Sequence, residues 1–178
     1  LPNILSCSRY FLALPMLYLV LYGHWSLAAI VLWITVGTDL LDGHIARARN
    51  QITVLGGLLD HSSDAFFVSI LLFAMTVHEL VPIALPCLVI LAFLQYTFDS
   101  HALSGHPLRT SNLGRYNGVS YFLLGGFPVM QNALHIHFIP DTYFLWIAWG
   151  LVLSTIISML DRLFTLLKKK QSDTTIDK

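Results

Sequence analysis

Six apolar runs, each close to the length a bilayer-crossing helix needs, organise the sequence: 4–22, 26–47, 54–77, 82–103, 116–134 and 141–167. Crossing the hydrocarbon core takes about 20 mostly apolar residues. Of the 178 residues, 56% are hydrophobic and 11% charged, too few charges to cover a water-facing surface, since a soluble domain carries about 25%. The expected fold is all-α and integral to the membrane: one domain of six transmembrane helices over 1–167, then a polar tail at 168–178 expected to fray. Pro15, Pro86 and Pro128 fall inside the runs as expected kinks, tolerable where neighbouring helices satisfy the freed carbonyls. Leu1 rather than Met opens the sequence, so residues ahead of it are expected. The short core at 10–22 has no small-residue cleavage site behind it and is not read as a signal peptide.

Charge placement tests this layout independently. With six spans, both termini and the loops near 50 and 108 share one side. Arg9, Arg47, Arg49, Arg109, Arg115, Arg162, Lys168, Lys169, Lys170 and Lys178 all fall on that side or at its boundary. The opposite loops carry Glu79, Asp141 and histidines but no Lys or Arg. The positive-inside rule then makes the termini and those loops cytoplasmic, and explains each basic residue by topology unless something further is found. A formal net charge of zero gives no support for a nucleic-acid partner. Cys7 and Cys87 lie in apolar runs without metal-ligand spacing and read as small buried hydrophobes.

Against that background the acids of the second and third runs are costly and point to function. Asp39 and Asp42 are three apart on a helix and share a face with Gly43 and Ala46. Gly56, Asp60 and Asp64 recur every fourth residue and form one stripe. Asp42 and Asp60 are equally far from Gln51, so an antiparallel hairpin brings all four carboxylates to one depth, on the order of 10 Å from the turn. Converging carboxylates cannot all stay ionised at low dielectric without cations. Oxygen ligands suit Mg²⁺, Mn²⁺ or Ca²⁺ better than zinc, and two divalent ions would balance four charges and clamp a phosphoryl displacement. Gly43, Ala46 and Gly56 would admit a planar base and a diphosphate close to the backbone; helix packing explains such small residues about equally well.

The string Asp39-Leu-Leu-Asp42-Gly43-His-Ile-Ala46-Arg47, then eight residues, Gly56, three residues, Asp60, three residues and Asp64 resembles the signature of the CDP-alcohol phosphatidyltransferase family, D-x2-D-G-x2-A-R-x8-G-x3-D-x3-D. Pro2-Asn3-Ile4-Leu5, with Arg9 and Pro15 downstream, is similar to that family's entry into its first helix. The resemblance implies a six-helix, commonly dimeric membrane enzyme of the EC 2.7.8 type. Such enzymes move a substituted phosphoryl group from a CDP-linked donor, here most simply CDP-diacylglycerol, to an alcohol and release CMP. It implies that Asp39, Asp42, Asp60 and Asp64 bind two Mg²⁺ or Mn²⁺ ions and that Asp64 is the base for the acceptor hydroxyl. Gly43, Ala46, Arg47 and Gly56 would hold the CDP-donor. His44 and His61, at unspecified positions of the signature, are read as packing or headgroup contacts rather than proton shuttles.

The second half should select the alcohol. The loop 105–118 is the most polar stretch beside the acids, and its Arg109 and Arg115 could grip a phosphate on the acceptor, although topology and anionic-lipid contact explain them equally well. Gln95 and Asp99 share a face and could meet acceptor hydroxyls. His78, Glu79, His135, His137 and Asp141 read as scattered loop polarity. Two other classes use intramembrane acids. A cation transporter would spread them along a route with repeat symmetry, and an intramembrane prenyltransferase would carry two separated Asp-rich motifs in a longer chain; this chain has one compact cluster.

Overall fold

The computed structural model describes residues 2–48, 54–99 and 112–176, with side chains over 6–41, 56–98 and 112–165. It contains six helices and, among the described residues, no strand: α1 (Pro2–Leu21), α2 (Trp25–Ala48), α3 (Val54–Val77), α4 (Ala84–Asp99), α5 (Asn112–Ala133) and α6 (Asp141–Ile176). Gly56–Val77 and Asp141–Thr165 are long and apolar enough to cross a bilayer. Ser6–Leu21, Trp25–Leu41 and Ala84–Phe98 are apolar but shorter. The outward faces carry large apolar side chains such as Phe11, Trp33, Leu123 and Trp146, all exposed, as a lipid-facing surface would.

Local sequence explains the joints. Three helices end in the same two-bond reversal, each on a residue with positive φ. His24 N–H donates to Leu19 O and Gly23 N–H to Val20 O; Leu80 donates to Met75 O and Glu79 to Thr76 O; Ile136 donates to Gln131 O and His135 to Asn132 O. The reversing residues are Gly23, Glu79 and His135, with φ of 72°, 59° and 55°. These bonds satisfy carbonyls that a helix end leaves open. The turns account for the His78–Glu79 and His135 polarity. His78 Nε2 meets Val20 O at 2.8 Å and its ring packs on Trp25.

Packing brings a third helix to the acids of the second and third runs. The principal contacts set α1 against both α2 and α3, α2 on α5, α3 on α4 and α5, and α6 across α4 and α5. The first helix, rather than a direct α2–α3 face, is the element that joins the two halves of the acidic string. Ala13, Met16 and Val20 of α1 are fully buried, as are Leu71, Leu72, Ala74 and Met75 of α3, so a 3–4 periodicity drives this contact.

Four expectations need correction. Cys87 is exposed on α4 and Cys7 only half-buried, both free, because each lies beside rather than on its helix's inward stripe. Residues 112–118 lie in α5 instead of a loop. Pro86 sits in the first turn of α4, where its missing N–H breaks no helix bond. The tail continues α6 to Ile176 instead of fraying at 168, which the helix-favouring run Lys168–Gln171 permits.

Where α5 crosses α3, a Cβ on Gly125 would lie 2.8 Å and 2.9 Å from Leu71 Cδ2 and Cγ. Leu71 is fully buried and has no room to withdraw. Gly125→Ala is therefore expected to cost about 1–3 kcal/mol, read as a lower Tm in detergent. Gly150→Ala, where nothing lies within 4 Å of the added carbon, is the control and should leave Tm unchanged.

Candidate active site

The inward stripe that buries Ala13 and Met16 also carries Arg9, one turn earlier, into the interior. Its side chain has no exposure at all. An arginine so placed keeps its charge and must be compensated. Compensation comes from both halves of the acidic string. Arg9 Nη1 donates to Asp39 Oδ1 of α2 at 2.9 Å and to Asp64 Oδ1 of α3, and Nη2 donates to Asp60 Oδ1 of α3 at 2.5 Å. Ser6, one turn before Arg9, donates to the same Asp60 oxygen at 3.5 Å. Tyr10 donates to Ser62 Oγ at 2.7 Å and stacks near Phe66, pinning α1 to α3 at this level. The three carboxylates are themselves 36–47% exposed. Charge is thus sealed on the α1 side and open on the other.

The open side is a cavity of about 740 Å³ between α2, α3, α4, α5 and α6. Asp39, His61 and Asp64 line it, as do Gln95, Asn117, Ser158 and Arg162; the His61 ring meets the Tyr96 ring edge-on at 6.1 Å. The lining also includes apolar side chains such as Val36, Leu40, Phe122 and Leu123. Arg162 lies over the Tyr96 ring with its guanidinium carbon 4.6 Å from the ring centre, a stacked placement that orients the planar fork. Polar bonds brace this wall. Tyr121 OH and Thr155 Oγ1 are 2.5 Å apart, Ser154 Oγ donates to Asn117 Oδ1 at 2.7 Å, and Gln95 Nε2 donates to Met159 O at 2.9 Å. Asn117 also hydrogen-bonds the Tyr121 side chain, and Gln95 Oε1 is buried without a hydrogen-bond partner among the described residues.

The donor set fits hard divalent cations. Asp60, His61 and Asp64 offer ligand atoms within 4.8 Å of one another, and Asp39 reaches the same guanidinium from the facing helix. Carboxylate oxygens favour Mg²⁺ or Mn²⁺.

The model of one protein family, described as CDP-alcohol phosphatidyltransferase, matches residues 1–160. The chain belongs to the CDP-alcohol phosphatidyltransferase family. Among curated proteins it is similar to the CMP-forming cardiolipin synthase of Rattus norvegicus, 40% identical over 91 residues that make up 51% of this chain and 30% of the rat protein. A cardiolipin synthase/hydrolase fusion protein of Schizosaccharomyces pombe is 27% identical over 153 residues, 75% of this chain and 26% of that protein. The CDP-diacylglycerol–glycerol-3-phosphate 3-phosphatidyltransferase of Aquifex aeolicus is 38% identical over 66 residues, 37% of each chain. The matched segment spans under a third of the length of the rat protein and of its human counterpart.

For this CDP-alcohol phosphatidyltransferase family member, the structure brings together three of the four signature aspartates: Asp39, Asp60 and Asp64. Gly56 lies one turn before Asp60 on α3. Asp42, Gly43, Ala46 and Arg47 lie within helix α2, but their side chains, like that of Asp99, fall outside the described residues. Arg109 lies outside them altogether. Arg115 sits in the first turns of α5, exposed and at the cavity wall. Two site residues escaped the sequence reading. Arg162 was accounted for by the positive-inside rule alone, and Arg9 by that rule and by the resemblance at the first helix, with no site role given to either; the rule cannot tell a boundary charge from one turned inward. The signal that could have found Arg9 was its period: it lies on the Ala13–Met16–Val20 stripe.

Proposed function

We infer that this chain is a multi-pass membrane enzyme that transfers a phosphatidyl group from CDP-diacylglycerol to the hydroxyl of a glycerol-based acceptor, releasing CMP. The observation that carries this reading is the convergence of Asp39, Asp60 and Asp64 at the edge of a cavity whose lining also includes Arg162, Asn117 and Gln95. Six spans, with the site and both termini cytoplasmic, agree with the charge placement of the sequence, and a homodimer rests on the family resemblance.

In this reading Asp39, Asp42, Asp60 and Asp64 hold two Mg²⁺ or Mn²⁺ ions, which when bound withdraw charge from the diphosphate. Gly43, Ala46, Arg47 and Gly56 take the cytidine diphosphate end of the donor. Asp64, which lines the cavity, accepts the proton of the acceptor hydroxyl as its oxygen attacks the diacylglycerol-bearing phosphorus. The bond from that phosphorus to the bridging oxygen breaks, and CMP leaves with that oxygen. Exclusion of bulk water by the apolar lining favours the alcohol over hydrolysis.

The acceptor is best read as a phospholipid bearing a glycerol head, the alcohol that forms cardiolipin when CMP is lost from CDP-diacylglycerol. The apolar side of the cavity, at Leu40, Val119 and Leu123, is itself exposed to the lipid-facing surface and offers acyl chains a lateral approach. Glycerol 3-phosphate is the second reading, favoured by the resemblance to the Aquifex aeolicus protein. Both acceptors carry a phosphate for Arg162 and Arg115. Arg162→Ala should raise KM for the acceptor about 10- to 100-fold with a much smaller change in kcat, as loss of a charge-assisted contact predicts. Supplying phosphatidylglycerol and glycerol 3-phosphate in separate reactions separates the readings: a cardiolipin product supports the first, a phosphatidylglycerophosphate product the second.

A further inference from the structure

Arg9 has no place in that chemistry, yet it is the most completely buried charge among the described residues and meets three of the proposed metal ligands. Each carboxylate meets it through Oδ1. Its helix packs against both α2 and α3, so the guanidinium sits where the two halves of the acidic string converge. A planar fork with several donors in fixed directions can hold carboxylates from two helices in one arrangement, which a lysine's point charge does less well.

We propose that Arg9 is a positioning residue: a built-in counter-ion that gathers the α2 and α3 carboxylates before any divalent ion binds, and that shares their charge with the ion afterwards. Two consequences follow from electrostatics, and both rest on the metal reading of the site. Without Arg9 the converged carboxylates repel one another, so the ion-free protein loses stability that a divalent ion restores. With Arg9 removed, one positive charge beside the site is gone, so the site binds a divalent ion more tightly. A residue that serves only to fill space would do neither.

The test compares wild type, Arg9→Gln and Arg9→Lys in detergent, reading Tm with chelator and with saturating Mg²⁺, and Mn²⁺ affinity by electron paramagnetic resonance. Arg9→Gln should melt about 6 °C or more below wild type in chelator. Saturating Mg²⁺ should close at least half of that gap, and Mn²⁺ should bind about 3- to 10-fold more tightly. Arg9→Lys should fall between the two in chelator. Equal Tm losses with and without Mg²⁺, together with unchanged Mn²⁺ affinity, would overturn the proposal. Should wild type bind no Mn²⁺, the metal reading fails by itself, and the counter-ion role is then read in chelator from a cycle with Asp64→Asn. Arg9→Gln should lower Tm by about half as much in the Asp64→Asn background as in wild type; an equal loss in both backgrounds overturns it.

Discussion

Asp64→Asn is expected to lower turnover by about 10³-fold at saturating donor, with Kd for the CDP-donor changed only a few-fold. The substitution keeps the size and shape of the side chain while removing the charge that faces both Arg9 and the cavity. As proton acceptor, Asp64 acts in the transition state far more than in donor binding, so the loss should appear in kcat. A carboxylate that ligates a cation is a weakened base, so two ways of losing activity must be separated. Titrating Mg²⁺ from limiting to saturating does this. Activity that returns at high Mg²⁺ would assign Asp64 to ion binding alone; activity that stays low at every concentration supports the base.

Removal of divalent ions is expected to have a comparable effect. Chelation should reduce transfer at least about 100-fold, with Mg²⁺ or Mn²⁺ restoring it, because the neutralised diphosphate and the leaving CMP depend on cationic charge at the carboxylates. Arg9 supplies one positive charge against the three carboxylates it contacts, so the protein alone leaves the cluster net anionic towards an anionic donor. Full transfer in excess chelator would show that the aspartates serve another purpose.

Much of this site was written in helical spacing. Asp60 and Asp64, four apart on a run that folds as α3 over Val54–Val77, had to share a face, and Asp39 had only one cluster to join. The bounds of the third run matched because a long apolar segment between polar breaks leaves a helix little choice. What spacing could not supply was the partner across the interface. The hairpin argument considered α2 and α3 alone, whereas α1 packs on both, and no local pattern in the second and third runs announces a third helix. Arg9 was visible as part of the resemblance at the first helix and lies on its apolar period, but nothing in the sequence showed which acids it meets. The same holds for Arg162, whose contact with Tyr96 joins residues far apart in the chain. Asn117 fell in the stretch 105–118 that was read as a loop for its polarity, but packing on α6 through Ser154 holds it in α5.

The central claim is that the carboxylates of α2 and α3 serve phosphatidyl transfer from CDP-diacylglycerol. CMP release from that donor by the purified protein, with Mg²⁺ and each acceptor in turn, measures it directly. The account predicts CMP release that requires both Mg²⁺ and a glycerol-based alcohol and disappears in Asp64→Asn. A folded protein that releases no CMP from any CDP-linked donor with any alcohol, yet conducts cations in liposomes, would contradict it and make the acidic cluster an ion site.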